Sequence, residues 1–472
     1  MKSGSTLLVT FDGLRRDRAT ADLMPNLAAF MAAGTDFINA RSMFPSETRV
    51  CVTSTFTGCA PADHGLVANA FHHPALAGRP VNTGQVDDLM HVTAAGPLLH
   101  AVPLGDRLAA AGKSMVVVST ASTGSTHLMN PHAAANGHEV FSCHQTNDRD
   151  AAIDRDARAL LGPVPPMTTP NDARITHAGR VVTEIVWPSR DPDLCVLWLN
   201  DPDLTEHAFG VTAPETEAAQ RHTDAVFGDI LAWWRAGNGP ENLIVMSDHG
   251  QITGSAVASP AADLAGGWEG RLSPGVFNGL WLDDPSPAAV ARMVDRLTEM
   301  PWCGLVFTGR GADAAAGTLP MGLTAQGGHA LAPDIAFTLR STGPDHGRDA
   351  AEQSRYFADY IAVGGGIHGG LNRGELSTVL AGAGPRFQAA TVSDTPCWLP
   401  DIAPTILHLL GLPAHGMRGR ALTEAFGEAP PTVTHTVHTV EHRGFVQHLA
   451  RWEVGGRGIV DEGWTEGTGA WG

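Results

Sequence analysis

The 472-residue sequence predicts an α/β fold in which a mainly parallel central sheet is flanked by helices. Two observations predict it. Short apolar runs with the length of buried strands recur along the chain, and helical patterns separate these runs. The clearest predicted strands are residues 7–11, 115–119, 194–199 and 243–246, with weaker ones at 335–339 and 360–363.

Two helices are predicted from their boundary residues and their apolar spacing. Residues 25–34 begin with proline, which is favoured in the first helical turn, and end on Gly34. Residues 215–235 keep apolar side chains such as Val226 and Leu231 near one face. Strands that alternate with helices of this kind indicate a parallel sheet with crossover helices.

Two segments break this alternation. Residues 253–333 are rich in Gly, Pro and Ala and contain one helical pattern, at residues 287–300, so we expect an inserted subdomain on the substrate side. After residues 429–431, the strict alternation of residues 432–440 predicts an added β-hairpin. The predicted organisation is therefore a main domain of residues 1–427 with an insertion at about 253–333, followed by a C-terminal β extension of residues 428–472.

The amino-acid composition limits the kinds of binding partner and the cellular compartment that we expect. With 49 acidic and 31 basic residues the chain has a formal charge of −18, which repels polyanions and argues against a nucleic-acid polymer as partner. No apolar run approaches the length of a membrane span, so no membrane association is expected. Six cysteines without C-x-x-C spacing suit reduced thiols and a cytoplasmic location. A small molecule remains as the expected partner, and association into a homo-oligomer is compatible with this composition.

Acidic and histidine side chains follow four of the predicted strands, at the points where these strands end. They are Asp12 after residues 7–11, Asp203 and His207 after 194–199, Asp248 and His249 after 243–246, and His368 after 360–363. Ligands bind beyond the carboxyl ends of the strands in open α/β sheets, so we expect these side chains to converge. Oxygen and imidazole ligands without thiolate suit catalytic zinc, with manganese or iron as competitors.

Thr48 is the candidate nucleophile. It stands at the start of a segment that extends to Thr57, which can form a helix ended by Gly58. A hydroxyl at a helix N-terminus lies in a positive field, and contact with a metal ion would lower its pKa further. The alternative is that Thr48 or Ser46 only caps the helix by accepting hydrogen bonds from free N–H groups.

These residues belong to short motifs that occur in a specific order. They are Phe11-Asp12-Gly13, Phe44-Pro45-Ser46-Glu47-Thr48, His64-Gly65-Leu66-Val67-Ala68-Asn69, Pro202-Asp203-Leu204-Thr205-Glu206-His207, Ser247-Asp248-His249-Gly250 and His368-Gly369-Gly370. With this set, most of residues 5–425 resembles the nucleotide pyrophosphatase/phosphodiesterase family, also called type I phosphodiesterases, of the alkaline phosphatase superfamily.

The resemblance implies an alkaline-phosphatase-like fold and a hydrolase with two metal ions, most simply zinc. It places Asp203, His207 and His368 on one ion and Asp12, Asp248 and His249 on the other. Thr48 would also contact the second ion and attack phosphorus, so that a phosphodiester or phosphoanhydride is cleaved through a phosphothreonine. Asn69 would hold a nonbridging phosphoryl oxygen. Asp201 has no role in this mapping.

The sequence departs from the family beside the nucleophile. Arg49 stands where many nucleotide-cleaving relatives have an aromatic residue that stacks on a base. Its guanidinium could instead bind a phosphate or carboxylate of the substrate, stack on a ring, or pair with Glu47. His72 follows Asn69 closely and is a second candidate substrate-binding residue, although histidines at such positions are often only surface residues.

Other functions remain open at this point. A phosphomonoesterase or a phosphonoacetate-hydrolase-like enzyme would use the same metal ligands. The phosphonoacetate-cleaving relative binds the carboxylate of its substrate with lysines. This chain offers no such pair, because its lysines are Lys2 and Lys113, although arginine can substitute. A metal-dependent phosphotransferase or mutase would pass the phosphoryl group to a second hydroxyl. A serine hydrolase is disfavoured because the chain has no G-x-S-x-G motif.

Overall fold

The computed structural model describes residues 2–76, 78–144, 151–273, 277–309, 314–342, 355–358 and 361–466. An eight-stranded sheet forms its centre. In spatial order its strands are Thr391–Ser393, Thr35–Phe37, Leu380–Ala383, Asn242–Met246, Thr6–Phe11, Leu194–Leu199, Met115–Ser119 and Glu139–Ser142. Five of the seven neighbouring pairs are parallel, which confirms the predicted α/β class.

Helices cover both faces of this sheet, because successive side chains of each buried strand enter two different cores. Along the first strand, Leu7, Val9 and Phe11 enter one core. Leu8 enters the other. The first core is covered by helices Pro25–Ala33, Ala152–Leu161, Asp172–Arg180 and Pro214–Arg235. The second core is covered by helices Thr48–Thr57, Val86–Ala95, Leu104–Ala110, Thr123–Met129 and Ile402–Leu409.

Further helical segments complete this layer arrangement. A π-helical turn, Val181–Val186, and the helix Trp187–Arg190 continue the Asp172–Arg180 helix directly. Shorter helices are Pro61–His64, Asp203–Phe209, Pro260–Asp263 and Arg373–Leu376, and the 3-10 turns are Arg16–Arg18, Met321–Thr324, Leu399–Asp401 and Thr423–Phe426. Within the described ranges, no helix is both long and apolar enough to cross a bilayer.

The segment predicted as an insertion builds separate sheets. A five-stranded sheet has the spatial order Gly270–Ser273, Phe277–Leu282, Ile335–Leu339, Cys303–Thr308 and Leu319–Pro320, with the helix Pro287–Thr298 beside it. A four-stranded sheet has the order Ser341–Thr342, Arg355–Ala358, Ile252–Val257 and Gly366–Ile367. These sheets extend past residue 333 and return the chain to the centre just before His368. Two short ladders pair Ala40–Arg41 with Cys397–Trp398 and Ala70–Phe71 with Val81–Asn82.

Four of the six predicted strands are confirmed and two are not. The four strong strands and both helices are confirmed to within about one residue at each end. The two weaker strands are not part of the parallel sheet. Ile335–Leu339 is buried, but it pairs antiparallel within the five-stranded sheet, because an apolar run does not reveal strand direction. Tyr360 lies outside the described residues, and residues 361–363 form no strand; a turn follows them, with Gly364 at φ +97°.

The C-terminal extension forms a three-stranded antiparallel sheet rather than only a hairpin, with strands Val433–His442, Phe445–Val454 and Arg457–Glu466. It packs on both parts of the molecule. Gln447 Oε1 accepts a hydrogen bond from the N–H of Val306 in the five-stranded sheet. The N–H of Gly463 donates to the carbonyl of Leu371, three residues after His368. The extension thus supports the loop that carries His368.

Candidate active site

The register of the central sheet brings three strand ends to one place. Phe11 lies opposite Leu199, and Thr10 lies opposite Met246, so the residues that follow these strands are neighbours. Gly13 has φ +74°, and a Cβ on it would lie 2.8 Å from the Cβ of Asp203. Only glycine fits this turn, which allows the loop after the first strand to approach the helix Asp203–Phe209.

The six predicted ligand residues form two trios. One trio is Asp203, His207 and His368, and the other is Asp12, Asp248 and His249; within each, one oxygen or nitrogen atom per residue lies within 4.8 Å of the others. The two trios are therefore candidate sites for two metal ions.

The three histidines are all oriented by backbone carbonyls. Nδ1 of His207 donates to the carbonyl of Gly366 at 2.8 Å, Nδ1 of His368 to that of Ser46 at 2.7 Å, and Nδ1 of His249 to that of Gly250 at 3.1 Å. The proton on Nδ1 is assigned from these bonds. Each Nε2 atom then carries a free lone pair, which is the form in which imidazole binds a metal ion.

The unprotonated nitrogens point at carboxylates. Nε2 of His207 and of His368 lie 3.4 and 3.6 Å from Asp203 Oδ1, and Nε2 of His249 lies 3.6 Å from Asp12 Oδ1 and 3.3 Å from Asp248 Oδ2. Two of these oxygens, Asp12 Oδ1 and Asp248 Oδ2, are buried without a hydrogen-bond partner. Unpaired carboxylate oxygens facing imidazole lone pairs fit a divalent cation between them.

The electrostatics of the trios lead to the same conclusion. Burial, followed by repulsion from Asp248 and Asp203, raises the pKa of Asp12 well above its usual value. Burial, followed by the nearby His249 and His207, lowers the pKa of His368 well below its usual value. Neutral imidazoles and crowded carboxylates are the combination that a bound cation stabilises, because positive charge offsets the repulsion between the acids.

Thr48 is the first residue of the ten-residue helix Thr48–Thr57, as predicted, and Gly58 ends this helix at φ +64°. The hydroxyl oxygen of Thr48 lies 3.2 Å from Nε2 of His249. Neither Thr48 nor Ser46 caps this helix with its side chain, so the capping alternative for these two residues is not what the structure shows; Asn69 instead accepts the N–H of Arg49 in the first turn. Ser46 instead accepts a hydrogen bond from the N–H of Gly369 and donates to the carbonyl of Gly370, beside His368.

Asn69 lies next to the nucleophile. Its Oδ1 accepts a hydrogen bond from the N–H of Arg49 at 3.1 Å, and its own N–H donates to the carboxylate of Glu47. Because Oδ1 accepts from residue 49, the Nδ2 group remains as the free donor of this carboxamide. Burial raises the pKa of Glu47 to about 7. The role of Asn69 toward a phosphoryl oxygen stays a prediction.

Thr48, Asp12 and Asp203 open onto a cavity of about 460 Å³, which Arg49 also lines. Among the described residues, the Arg49 guanidinium forms no ion pair, although its positive charge acts on Glu47 and lowers the pKa of that carboxyl against the larger effect of burial. The structure does not place His72 among the described lining residues. Its ring instead packs edge-to-face on Trp281, with 5.3 Å between ring centroids.

Three supporting residues could not be assigned from sequence. Trp198 Nε1 donates to Asp12 Oδ2 at 2.8 Å, and Gln251 Nε2 donates to Asp203 Oδ1 at 2.6 Å. Asp201 is buried and accepts hydrogen bonds from the N–H groups of Asn171 and Thr205, so it braces the loop before Asp203. Trp198 is the last residue but one of the strand that leads to Asp203, and Gln251 stands two residues after His249; this closeness to candidate ligands is the one signal that could have indicated them.

The α/β/α layers, with paired oxygen and imidazole trios at the strand ends, define an alkaline-phosphatase-like fold with a candidate centre for two metal ions. A model of the family described as type I phosphodiesterase / nucleotide pyrophosphatase matches residues 6–300. The chain belongs to this family, whose members are phosphodiesterase and nucleotide pyrophosphatase hydrolases, and the predicted family is thereby confirmed.

Individual relatives are distant. The ectonucleotide pyrophosphatase/phosphodiesterase family member 1 of Mus musculus is 24% identical over 263 residues, which is 54% of this chain but about a quarter (25%) of the mouse protein's length. Among solved structures, murine ectonucleotide pyrophosphatase / phosphodiesterase 5 has a TM-score of 0.61 at 19% identity, with 88% of this chain and 97% of that chain covered. The structure of an inactive variant of that protein in complex with AMP has a TM-score of 0.60 at 18% identity, with the same coverage of both chains. These likenesses support the fold.

Proposed function

We propose that this protein hydrolyses phosphodiester or phosphoanhydride bonds of small organic substrates, with Thr48 as the nucleophile and two divalent ions as cofactors. One observation carries the proposal. The hydroxyl oxygen of Thr48 lies 3.2 Å from His249 of one ligand trio and lines the same cavity as Asp203 of the other trio. A nucleophile between two cation sites is the arrangement that in-line phosphoryl transfer requires.

The ligand atoms indicate which ions would bind. Each trio offers three oxygen or nitrogen atoms and no sulfur, which suits catalytic zinc, with manganese or iron as alternatives. One ion would be held by Asp203, His207 and His368, and the other by Asp12, Asp248 and His249, next to the Thr48 hydroxyl. When bound, the ions supply positive charge that stabilises the phosphoryl oxygens and favours the ionised hydroxyl.

The chain's own residues then account for the reaction. Thr48 Oγ1 attacks phosphorus, the Oγ1–P bond forms, and the bond from phosphorus to the leaving alcohol or phosphate breaks. The proton of the Thr48 hydroxyl passes to solvent as this bond forms, and the leaving oxygen takes up a proton from solvent. The oxygen of a water molecule then bonds to phosphorus, the Oγ1–P bond breaks, and one proton of the water restores the Thr48 hydroxyl. The Nδ2 group of Asn69 donates to a nonbridging oxygen, where negative charge increases in the transition state.

A second candidate is favoured by Arg49. A guanidinium that lines the cavity and forms no ion pair in the described part of the chain suits a substrate with a further anionic group, as in a small phosphate monoester or a phosphonate that carries a carboxylate. Transfer of the phosphoryl group to a second hydroxyl would use the same first step and differ only in the acceptor.

The test is a comparison of rates on bis(p-nitrophenyl) phosphate, p-nitrophenyl phosphate and a dinucleotide. We expect the diesters to be cleaved at least about tenfold faster than the monoester. Faster cleavage of the monoester would support the second candidate instead. Phosphorylated glycerol formed when glycerol is added would show transfer to a second hydroxyl, and its absence supports hydrolysis.

We also propose that the protein works in a reducing, cytoplasmic compartment. All six cysteines are buried and none is in a disulfide. Thiol titration of the denatured protein purified without reductant should find six free thiols, whereas fewer would argue for an oxidising compartment.

A further inference from the structure

The described part of the wall of the cavity beside Thr48 offers no stacking surface for a nucleobase. The volume of this cavity, about 460 Å³, lies in the range of small-molecule pockets. Among the described residues that line it, the only ring is the imidazole of His144; the others include Gln85, Ser122, Thr123 and Ser125. A stacked base therefore finds no aromatic platform on this part of the wall.

Asn200 gives this wall a fixed hydrogen-bond donor. It directly follows the strand Leu194–Leu199 and is 8% exposed. Its Oδ1 accepts two hydrogen bonds, from the Thr120 hydroxyl at 2.7 Å and from Asn171 Nδ2 at 2.9 Å. These two bonds lock the carboxamide, so the Nδ2 group is left as the free end of a side chain that lines the cavity.

Arg49 supplies charge in the same cavity. It is the one permanent cation among the described lining residues, and its Nε is buried without a hydrogen-bond partner. Burial, with Arg174 nearby, lowers the pKa of His144, so this imidazole is neutral at neutral pH and adds no charge. A locked amide donor and a guanidinium that forms no ion pair among the described residues are together suited to a group of anionic oxygens.

We propose that Asn200 and Arg49 bind a second anionic group, a carboxylate or a phosphate, on the organic part of the substrate whose phosphate Thr48 attacks. This inference rests on the proposed function and names the substrate class for it. A substrate with a neutral group at this position leaves the guanidinium and the amide without a partner, which costs about tenfold in kcat/KM.

The test uses three p-nitrophenyl phosphodiesters that differ only in the second alcohol. Glycolate carries a carboxylate, ethylene glycol monophosphate carries a phosphate, and glycolamide is a neutral group of the same size as glycolate. In the parent enzyme, kcat/KM for at least one anionic ester should exceed that of the glycolamide ester by about tenfold or more. The better of the two anionic esters identifies the preferred group.

Asn200→Asp is the decisive variant, because aspartate keeps an oxygen for Thr120 and Asn171 but replaces the Nδ2 donor with a second carboxylate oxygen. The ratio of kcat/KM between anionic and neutral esters should fall by about tenfold or more. Asn238→Asp makes the same change on an exposed loop and should leave the ratio as it is in the parent. Metal content is measured in each variant, so that a loss of ions is recognised.

A measurement without variants keeps the proposal testable if Asn200→Asp fails to fold. Phosphoglycolate should inhibit the parent enzyme with a Ki about tenfold below that of phosphoglycolamide. Equal Ki values, or an unchanged ester ratio in Asn200→Asp with both ions bound, would overturn the inference. Cleavage of the neutral ester without any anionic preference contradicts this inference alone, whereas no cleavage of any of the three contradicts the proposed function as well.

Discussion

The imidazole rings of His249 and His368 stack on each other, with 3.7 Å between ring centroids and 11° between ring planes. The two residues belong to different ligand trios and come from loops about 120 residues apart in sequence. The stack therefore joins the two candidate ion sites through one pair of rings, and Thr48 contacts it at His249.

We predict that active protein contains two divalent ions per chain. Three ligand side chains per site are enough to hold an ion and leave room for the substrate. Removal of the ions with a chelator should abolish diesterase activity, and zinc should restore it. His207→Ala should lose one ion, measured by plasma mass spectrometry, since it removes one of three ligands. One ion or none per fully active chain would contradict the two-site account.

Thr48→Ala should lower kcat on bis(p-nitrophenyl) phosphate by about a thousandfold or more while both ions remain bound. Both ions should stay bound because this substitution leaves six of the seven proposed metal ligands unchanged. Thr53→Ala is the matched control: it lies on the same helix, and its hydroxyl donates to the carbonyl of Arg49. Thr53→Ala should keep activity within a few-fold of the parent. Near-normal turnover by Thr48→Ala would mean that water attacks phosphorus directly.

His64 should make stability depend on pH. It is fully buried, its Nδ1 accepts the N–H of Leu66, and burial lowers its pKa to about 3. In the unfolded chain its pKa is about 6.5, so below that pH the unfolded state binds a proton that the folded state does not. The free energy of unfolding should therefore fall as pH drops through the window from about 6.5 to about 3.

The measurement is urea unfolding of the parent and of His64→Gln between pH 6.5 and pH 5. The parent should lose about 2 kcal/mol more than the variant over this range, at about 1.4 kcal/mol per pH unit. Effects of all other groups cancel in the difference. Parallel pH profiles would show that His64 does not titrate differently in the two states.

Asp461 should be the main electrostatic link between the C-terminal sheet and the rest of the protein. It is 3% exposed and pairs with Arg41 at 2.9 Å and with Arg373 at 2.8 Å. Asp461→Asn leaves the buried Arg41 without its counter-charge and should lower the free energy of unfolding by about 3 kcal/mol or more. Glu453→Gln, in the partly exposed pair with Arg451, should cost less than about 1 kcal/mol. Similar losses for both, measured by chemical denaturation, would contradict this role.

Much of the site could be predicted because its ligands are marked by a local signal. A carboxylate within a few residues after a buried apolar run is visible in the sequence, and Asp12, Asp203 and Asp248 stand one, four and two residues after the ends of their strands. The glycine at position 58 likewise marks the end of the helix that begins at Thr48. These signals lie within a few residues of the group that they identify.

The features of the site that could not be predicted depend on contacts between segments that are distant in sequence. The carbonyls that orient His207 and His368 come from Gly366 and Ser46, and a backbone carbonyl has no signature in the sequence. His368 follows the two-residue strand Gly366–Ile367 and not the apolar run before it, since Gly364 and Gly365 turn the chain between them. The donor role of Asn200 becomes visible only when Thr120 and Asn171 are seen to hold its oxygen.

The most direct test of the central claim is the stereochemical course at phosphorus. A phosphorothioate diester that is chiral at phosphorus is hydrolysed in ¹⁸O-labelled water, and the configuration of the product is determined by ³¹P NMR. Attack by Thr48 followed by attack of water inverts phosphorus twice. We therefore predict net retention of configuration at phosphorus. Net inversion would show a single direct attack by water and would contradict Thr48 as the nucleophile.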